Sequence, residues 1–409
     1  MLLIADGPAA DLLEALSAAG AFPVVESKWT DAPAAFASVN PSAVAIAEAP
    51  PAQRMAVAET LYKKIAAASG PIIPVIARGD EDGALPFALG VDAGLPVERF
   101  VARLRAAMRV RALHATVLRR VETFAAQDGR PPILPRADSL DDATVLIAGR
   151  GPLYPRLSVA MGERVKVLGA LTVEGAARHL NLRDVSGIVI GDGFSPRMVA
   201  AFLTVLAQEP RFRDVPIAVI DEPAPEFIQA PNIDHVDGDP ARLVNRMLPL
   251  VRLHAFEARL KRMRASLEAG GALDADTGLL THDAFLSELA KAAADAGERS
   301  MALSVARLTF DGGTEPHIGR EAGRVLTRLV RTIDFACCDD QGALLIAFTQ
   351  TDLRGAHVVA RRFAAALKGA LLPPNGTSAA TLTLATLKAE DTVDTLMLRV
   401  TGGAMVAAE

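Results

Sequence analysis

The sequence is poor in cysteine and in aromatic residues. It contains two cysteines and one tryptophan in 409 residues, and Phe, Trp and Tyr together make up 4%. Cys337 and Cys338 are adjacent, and neighbouring residues in a strand point to opposite faces, so they would not easily form a disulfide. We predict reduced thiols, as in a cytoplasmic protein. No Cys or His spacing typical of a metal site occurs, and we predict no metal ion and no cofactor.

The sequence also lacks a basic excess and a long apolar run. Lys and Arg number 43 against 48 Asp and Glu, a net charge of −5, which argues against broad nucleic-acid binding. Asp6 stands where a signal peptide would have basic residues and then an apolar stretch. No uncharged apolar run is long enough to cross a bilayer. We predict a cytoplasmic protein with no nucleic-acid partner and no membrane insertion.

Short apolar runs alternate with helical patterns in the first part of the chain. A length of 409 residues predicts two to four domains. Near-continuous apolar strands between helices are typical of a parallel sheet that is covered on both faces. The predicted strands are Leu2–Ala5, Phe22–Val25, Ala43–Ala47 and Ile72–Ala77, and the predicted helices include Pro8–Ala19 and Met55–Ala68.

The same pattern restarts after a Pro/Gly-rich connector at residues 128–136. The second set of strands is predicted at Ala143–Ala148, Lys166–Leu168, Gly187–Ile190 and Pro216–Ile220, with a last helix over Pro240–Leu253. Residues 42–48 match residues 186–192 in this alignment. We interpret the two segments as an internal duplication of one five-stranded α/β domain.

Each copy resembles a response-regulator receiver domain, which implies the flavodoxin-like doubly wound fold. A working receiver holds Mg²⁺ through an acidic pair and an acceptor Asp, because a hard cation needs several oxygen ligands. The first copy keeps Asp6 alone, with Ala47 at the acceptor position and Glu48 one residue later. The second copy has Gly191 at the acceptor position, followed by Asp192. We predict no phosphorylation site, and we interpret both copies as scaffolding, dimerisation or protein-docking surfaces.

The C-terminal part resembles a GGDEF domain, the fold that makes cyclic di-GMP. The segment from Asp274 to Phe285 is similar to the start of that domain, and residues 331–348 are similar to its central hairpin. The signature turn reads Asp-Gln-Gly-Ala-Leu from Asp340, however, and the resemblance puts Ala306 and Gly342 at the two metal carboxylate positions. The guanine-binding loop is shortened to about residues 311–315, and Thr401 stands where a phosphate-contacting Lys is expected. We predict no catalytic residues and no enzyme activity.

The product-binding site of that family is retained in register. Arg331 and Asp334 form its Arg-x-x-Asp motif nine residues before the turn begins, and Arg362 follows twenty-two residues after that point. A guanidinium can pair with the O6/N7 edge of guanine, a carboxylate can accept from its N–H groups, and a second arginine can stack on the base or neutralise a phosphate. The alternative is a surface ion pair between Arg331 and Asp334 at a helix end, worth about 0–1 kcal/mol. Because all three residues keep the register, we predict cyclic di-GMP binding.

The order receiver–receiver–GGDEF covers the whole chain and resembles response regulators of the PleD/PopA type. The degenerate turn makes the PopA type more similar. The predicted domains are a degenerate receiver at 1–118, a linker at 119–141, a second degenerate receiver at 142–255, a helical linker at 256–272 and a degenerate GGDEF domain, α+β like a cyclase palm, at 273–409. The resemblance implies a non-catalytic cyclic di-GMP effector at a cell pole, an adaptor in cell-cycle regulation and regulated proteolysis, and a homodimer. A ligand-free scaffold of retired signalling domains remains the alternative.

Overall fold

The computed structural model describes residues 1–80, 83–128, 132–220, 232–299, 301–310, 316–331, 333–371 and 380–402. The chain divides into two compact units, the first made of Met1–Leu180 with Asp184–Leu260 and the second of Asn181–Arg183 with Lys261–Glu409. Among the described residues, no helix is long and apolar enough to cross a membrane.

The first half of the first unit is a parallel α/β sheet. Its strands are β1 (Leu2–Ile4), β2 (Val25–Ser27), β3 (Val44–Ile46), β4 (Val75–Arg78) and β5 (Leu89–Val91), and its helices are α1 (Ala10–Ala18), α2 (Ala32–Val39), α3 (Met55–Ala66) and α4 (Val97–Asp128). The strand order is β2-β1-β3-β4-β5. This is the flavodoxin-like order predicted from the sequence.

The second half repeats this topology. Its strands are β6 (Thr144–Ala148), β7 (Lys166–Ala170), β8 (Gly187–Ile190), β9 (Ile217–Val219) and β10 (Ile233–His235), and its helices are α5 (Leu153–Gly162), α6 (Val173–Leu182), α7 (Pro196–Gln208) and α8 (Pro240–Glu268). The order β10-β9-β8-β6-β7 is the same arrangement read from the other edge. The structure thus contains the duplicated five-stranded α/β fold that the sequence predicts.

A buried charge cluster joins the two halves of the first unit. Asp234 on β10 accepts hydrogen bonds from Arg99 and Arg103 of α4, with Nη2 of Arg103 at 2.8 and 2.9 Å from the two carboxylate oxygens. Arg246 of α8 lies 3.9 Å away through Nε and pairs with Asp92 at 2.6 Å. Burial alone would raise the pKa of Asp234, but the charges of Arg103, Arg246 and Arg99 outweigh it and hold that pKa far below its usual value.

The helices α4 and α8 pass through the predicted domain boundaries without a break. The imidazole of His114 on α4 packs edge-on against the ring of Phe256 on α8, with ring centroids 5.0 Å apart. Arg259 also pairs with Asp142 and donates to the carbonyls of Arg136 and Ser139. Residues 256–260, predicted to begin a linker, are therefore packed within the first unit.

The second unit is built on a four-stranded antiparallel sheet. Its strands are β11 (Leu303–Phe310), β12 (Phe335–Cys338), β13 (Leu344–Thr349) and β14 (Ala380–Thr386), in the order β12-β13-β11-β14. Its helices are α9 (His282–Arg299), α10 (Pro316–Leu326), α11 (Leu353–Leu371) and α12 (Val393–Thr401). The β-α-β-β-α-β sequence from β11 to β14 is the ferredoxin-like, α+β arrangement.

Two apolar cores cover the faces of this sheet. α10 and α11 pack on one face, while α9 and α12 pack on the other. Cys337 belongs to the α9/α12 core and Cys338 packs against the α10/α11 core. Both thiols are free, as predicted, and burial raises the pKa of Cys338 to about 11.

Candidate functional site

The predicted ligand site lies in the loop between α10 and β12. Residues 327–330 form a turn after α10, and the N–H of Asp334 donates to the carbonyl of Arg331 at 3.0 Å. Leu329 and Val330 pack against the α10/α11 core, so the chain is fixed immediately before Arg331. Arg331 itself is exposed and Asp334 is buried. The loop therefore presents an exposed cation near a buried acid.

The Asp334 carboxylate is held through one oxygen only. Its Oδ1 accepts from the backbone N–H of Thr349 at 3.0 Å and from the Thr349 hydroxyl at 3.4 Å. Its Oδ2 is buried and accepts no hydrogen bond from the described residues. Burial raises the pKa of Asp334, against the opposing effects of the Thr349 hydrogen bonds and the Arg331 charge. A buried acceptor without a partner is costly, and ligand N–H groups would satisfy it.

Thr349 was not identified from the sequence as part of this site. It ends β13, and its hydroxyl also donates to the carbonyl of Ile333 at 2.9 Å. The antiparallel pairing of Phe335 with Ala347 continues to Thr349 opposite Ile333, which places Thr349 beside the neighbouring Asp334. Only the strand register reveals this role, so no sequence motif could have shown it.

Arg362 lies on α11, which covers the same face of the sheet as α10. Its side chain is exposed, and the adjacent Phe363 packs in the α10/α11 core with its ring centroid 6.1 Å from that of Phe348. Arg331 and Asp334 are brought together by the loop, and Arg362 is placed on the same side of the sheet. The convergence of Arg362 with the other two residues stays a prediction.

The turn between β12 and β13, residues 339–343, is organised by its own side chains. Asp339 Oδ1 accepts from the N–H groups of Gln341 at 2.9 Å and Ala343 at 2.8 Å. Asp339 Oδ2 lies 3.8 Å from Nη2 of Arg307, which also donates to Gln341. Gly342 has φ +78°, a left-handed conformation that favours glycine. Asp339 is thus engaged by the protein, while the adjacent Asp340 is exposed.

The two metal positions implied by the resemblance carry no oxygen ligand. Ala306 is fully buried in the α10/α11 core, and Gly342 has no side chain. A Cβ built on Gly319 of α10 would lie 2.5 Å from the Gly342 carbonyl oxygen, so the helix backbone packs directly on the turn. These residues do not fit a pair of Mg²⁺ ions, which need carboxylate oxygens. The predicted guanine loop, residues 311–315, lies outside the described residues.

The acids of the two α/β halves are also engaged within the protein. Asp6 accepts from the N–H of Trp29 at 3.2 Å and pairs with Arg54. Asp192 Oδ2 accepts from the N–H of Leu153 at the start of α5, at 3.3 Å. A side chain at Gly151 would overlap that oxygen, so the carboxylate packs directly on the backbone just before α5. Asp6 and Oδ2 of Asp192 thus have partners within the protein, whereas the buried Oδ1 of Asp192 accepts no hydrogen bond from the described residues.

No family model and no curated protein matches the chain. Among solved structures, it is similar to the coiled coil and GGDEF domain of DgcB from Caulobacter crescentus in complex with c-di-GMP, at 20% identity over 37% of this chain and 89% of that chain, with a TM-score of 0.30. It is similar to the FimX GGDEF domain from Pseudomonas aeruginosa, at 16% identity over 32% of this chain and 90% of that chain, with a TM-score of 0.28. It is also similar to the diguanylate cyclase SiaD in complex with its activator SiaC, from Pseudomonas aeruginosa, at 15% identity over 36% of this chain and 62% of that chain, with a TM-score of 0.30. At such TM-scores these similarities carry no conclusion about what the chain does.

Proposed function

We propose that this protein is a non-catalytic effector that binds cyclic di-GMP at Arg331, Asp334 and Arg362. One observation carries the proposal: the buried Oδ2 of Asp334 accepts no hydrogen bond from the described residues, next to the exposed Arg331. Guanine N1–H and N2–H are the donors that such an oxygen accepts, while an arginine fork fits the opposite O6/N7 edge. The two residues would therefore grip one guanine from two sides.

Arg362 would supply the second cation. A guanidinium can stack on a base or pair with a phosphate, and the dinucleotide offers both. Ile333 and Val358 are exposed apolar side chains close in sequence to Arg331 and Arg362. They would cover the faces of the bound bases, and the burial of their apolar surface would stabilise the complex.

The absence of catalysis is part of the same proposal. Ala306 and Gly342 offer no carboxylate where a cyclase needs metal ligands, and Gly319 packs on the turn. Incubation with GTP and either Mg²⁺ or Mn²⁺ should give no cyclic di-GMP, measured by chromatography against an active cyclase. Metal-dependent product formation by the pure protein would contradict this part of the proposal.

The two α/β halves would act as degenerate receiver domains that dock protein partners. Asp6 and Asp192 are engaged in structural contacts, which favours a docking role over phosphorylation. The family resemblance extends this to a homodimeric adaptor that works in cell-cycle regulation and regulated proteolysis, at a cell pole, under the control of cyclic di-GMP. Such control requires a ligand that binds two arrangements of the protein with different affinities.

Calorimetric titration of the full chain with cyclic di-GMP tests the ligand site. We expect saturable binding by the wild type and a loss of at least tenfold in affinity for Arg331→Ala and for Arg362→Ala. Lys291→Ala is the matched control, because it removes one exposed cation from α9 on the other face of the sheet. Equal cyclic di-GMP affinities of the wild type and Arg331→Ala would contradict the proposed binding site.

A ligand-free scaffold is the second candidate, and one observation favours it. The hydrogen bonds from Thr349 to Asp334 tie the end of β13 to the start of β12, which is a structural role that needs no ligand. Equilibrium dialysis separates the two functions. Retention of cyclic di-GMP by the wild type supports the effector, and no retention supports the scaffold.

A further inference from the structure

A cavity of about 250 Å³ lies between the two halves of the first unit. One wall is formed by α4 and β5, and the other by α8 with the segments that lead into β9 and β10. All of its lining residues belong to the first compact unit. A cavity of about 150 Å³ can accept benzene, so this one has room for a two-ring aromatic system.

Part of the cavity lining is apolar. It is lined by short and branched side chains from both halves, namely Leu89, Ala106, Val110, Pro216, Leu250 and Leu253. These side chains offer dispersion contacts and no hydrogen bonds. The binding of an aromatic ring here is favoured because its apolar surface is removed from water.

The rim of the cavity is cationic. It carries Arg105, Arg109 and Arg213 against two acids, Asp214 and Glu257. All three arginines are exposed, and Nη2 of Arg109 lies 3.0 Å from Oδ1 of Asp214. The rim therefore has an excess of positive charge, and it favours an anion over a neutral ligand.

The walls of the cavity are held in place before any ligand enters. Arg103 lines the cavity and is fixed by Asp234, at 2.8 Å, in the cluster that joins the two halves. A preformed pocket binds more tightly than one that a ligand must order, since less conformational entropy is lost.

We propose that this cavity binds a small planar anion, an aromatic ring system that carries one carboxylate. The ring inserts between α4 and α8, and the carboxylate pairs with the arginines of the rim. Arg109 then exchanges its partner Asp214 for the ligand. The site is separate from the cyclic di-GMP site, which lies in the second unit.

Isothermal titration of the full chain with naphthoate as the probe tests the proposal. We expect one saturable site per chain and weaker binding of the neutral analogue naphthamide. Arg109→Glu combined with Arg213→Glu should weaken naphthoate binding at least tenfold. Asp214→Asn should strengthen it several-fold, because it removes the carboxylate that competes for Arg109.

Arg197→Glu is the matched control, an exposed arginine on α7 that does not line the cavity, and it should leave naphthoate affinity unchanged. Ala106→Phe fills the apolar part and should abolish binding while the fluorescence of the buried Trp29 reports an intact fold. The absence of saturable naphthoate binding to the wild type would overturn the site. Equal affinity for the wild type and the double arginine variant would also overturn it.

Discussion

A buried aspartate in the first unit, Asp234, and one in the second, Asp334, differ in how many of their carboxylate oxygens have partners in the protein. Asp234 lies among Arg99, Arg103 and Arg246, and these charges lower its pKa despite its burial. Among the described residues, Asp334 has hydrogen-bond partners on one oxygen only, and burial raises its pKa. Both carboxylate oxygens of Asp234 have arginine partners, whereas Oδ2 of Asp334 accepts no hydrogen bond from the described residues. The proposed ligand site uses this second kind of carboxylate.

The difference follows from the elements that surround each carboxylate. α4 and α8 bring arginines to β10 from both halves of the first unit, so Asp234 is enclosed by cations. Asp334 lies at the edge of a sheet, where the neighbouring β13 supplies only Thr349. β12 has no strand on its outer side in the described sheet, so fewer groups of the protein surround this carboxylate.

The largest effect that we expect is the loss of the Asp234 cluster. Asp234→Ala leaves the guanidinium groups of Arg99 and Arg103 buried without their anion, and breaking a buried pair in this way costs about 3–5 kcal/mol. The free energy of unfolding of the first unit should fall by about that amount. Denaturant titration followed by the fluorescence of Trp29, the single tryptophan of the chain, measures it.

Asp237→Ala is the matched control for this change. Asp237 follows the same strand and pairs with Arg242 at 2.5 Å, but both side chains are substantially exposed. Exposed pairs contribute about 0–1 kcal/mol. If both variants lost the same small free energy, the cluster around Asp234 would not hold the halves together.

The second expected effect concerns binding rather than stability. Asp334→Asn keeps an oxygen that can accept from the Thr349 N–H, so the stability of the second unit should change by less than about 1 kcal/mol. The variant loses the anion and presents an amide donor where guanine N–H groups would point. Hydrogen bonds to charged groups contribute about 1.5–3 kcal/mol, so cyclic di-GMP affinity should fall roughly tenfold to a hundredfold.

Calorimetry and thermal unfolding of the same samples separate the two roles of Asp334. Asp340→Asn serves as the control, since Asp340 is an exposed acid in the turn between β12 and β13. A stability loss for Asp334→Asn with unchanged ligand affinity would assign this carboxylate to architecture, like Asp234.

The sequence predicts which segments form strands better than it predicts where each strand begins and ends. The apolar runs placed β1, β3 and β8 within one or two residues, because buried parallel strands are almost continuously apolar. β2 begins at Val25 rather than at Phe22, since Pro23 has no N–H for the ladder and Val25 donates to Met1. β5 was not predicted, because its three residues include a glycine and leave little pattern.

Contacts between distant segments were beyond the reach of the sequence. Arg103 and Asp234 are 131 positions apart, and neither lies in a motif. α4 and α8 run past residues 119 and 256, where the predicted linkers begin, and His114 on α4 packs against Phe256 on α8. Arg331 and Asp334 are predicted from a motif that keeps its distance from the turn in the family it resembles, whereas the position of Thr349 depends on strand register.

The smallest expected effect comes from His114, a buried titratable group outside both carboxylate sites. Its Nδ1 accepts from the N–H of Ile72 at 3.1 Å, which requires the neutral imidazole. Burial lowers the pKa of His114, and the charge of Arg111 lowers it further. The folded protein therefore binds this proton less readily than the unfolded chain, whose histidine has the ordinary pKa of 6.5. Neutral His114 therefore stabilises the folded state fully above pH 6.5. This contribution is lost as the pH falls from 6.5 towards the lower pKa of His114 in the folded protein.

His114→Gln tests this dependence, because the glutamine oxygen can accept from Ile72 but takes up no proton near neutral pH. Trp29 fluorescence should show the unfolding free energy of the wild type falling more steeply than that of the variant between about pH 7 and about pH 5.5, by at most about 1.4 kcal/mol per pH unit. The comparison between the two proteins cancels the other histidines, which they share. Parallel pH profiles would mean that His114 keeps its ordinary pKa in the fold, and burial between α4 and α8 would then not control its protonation.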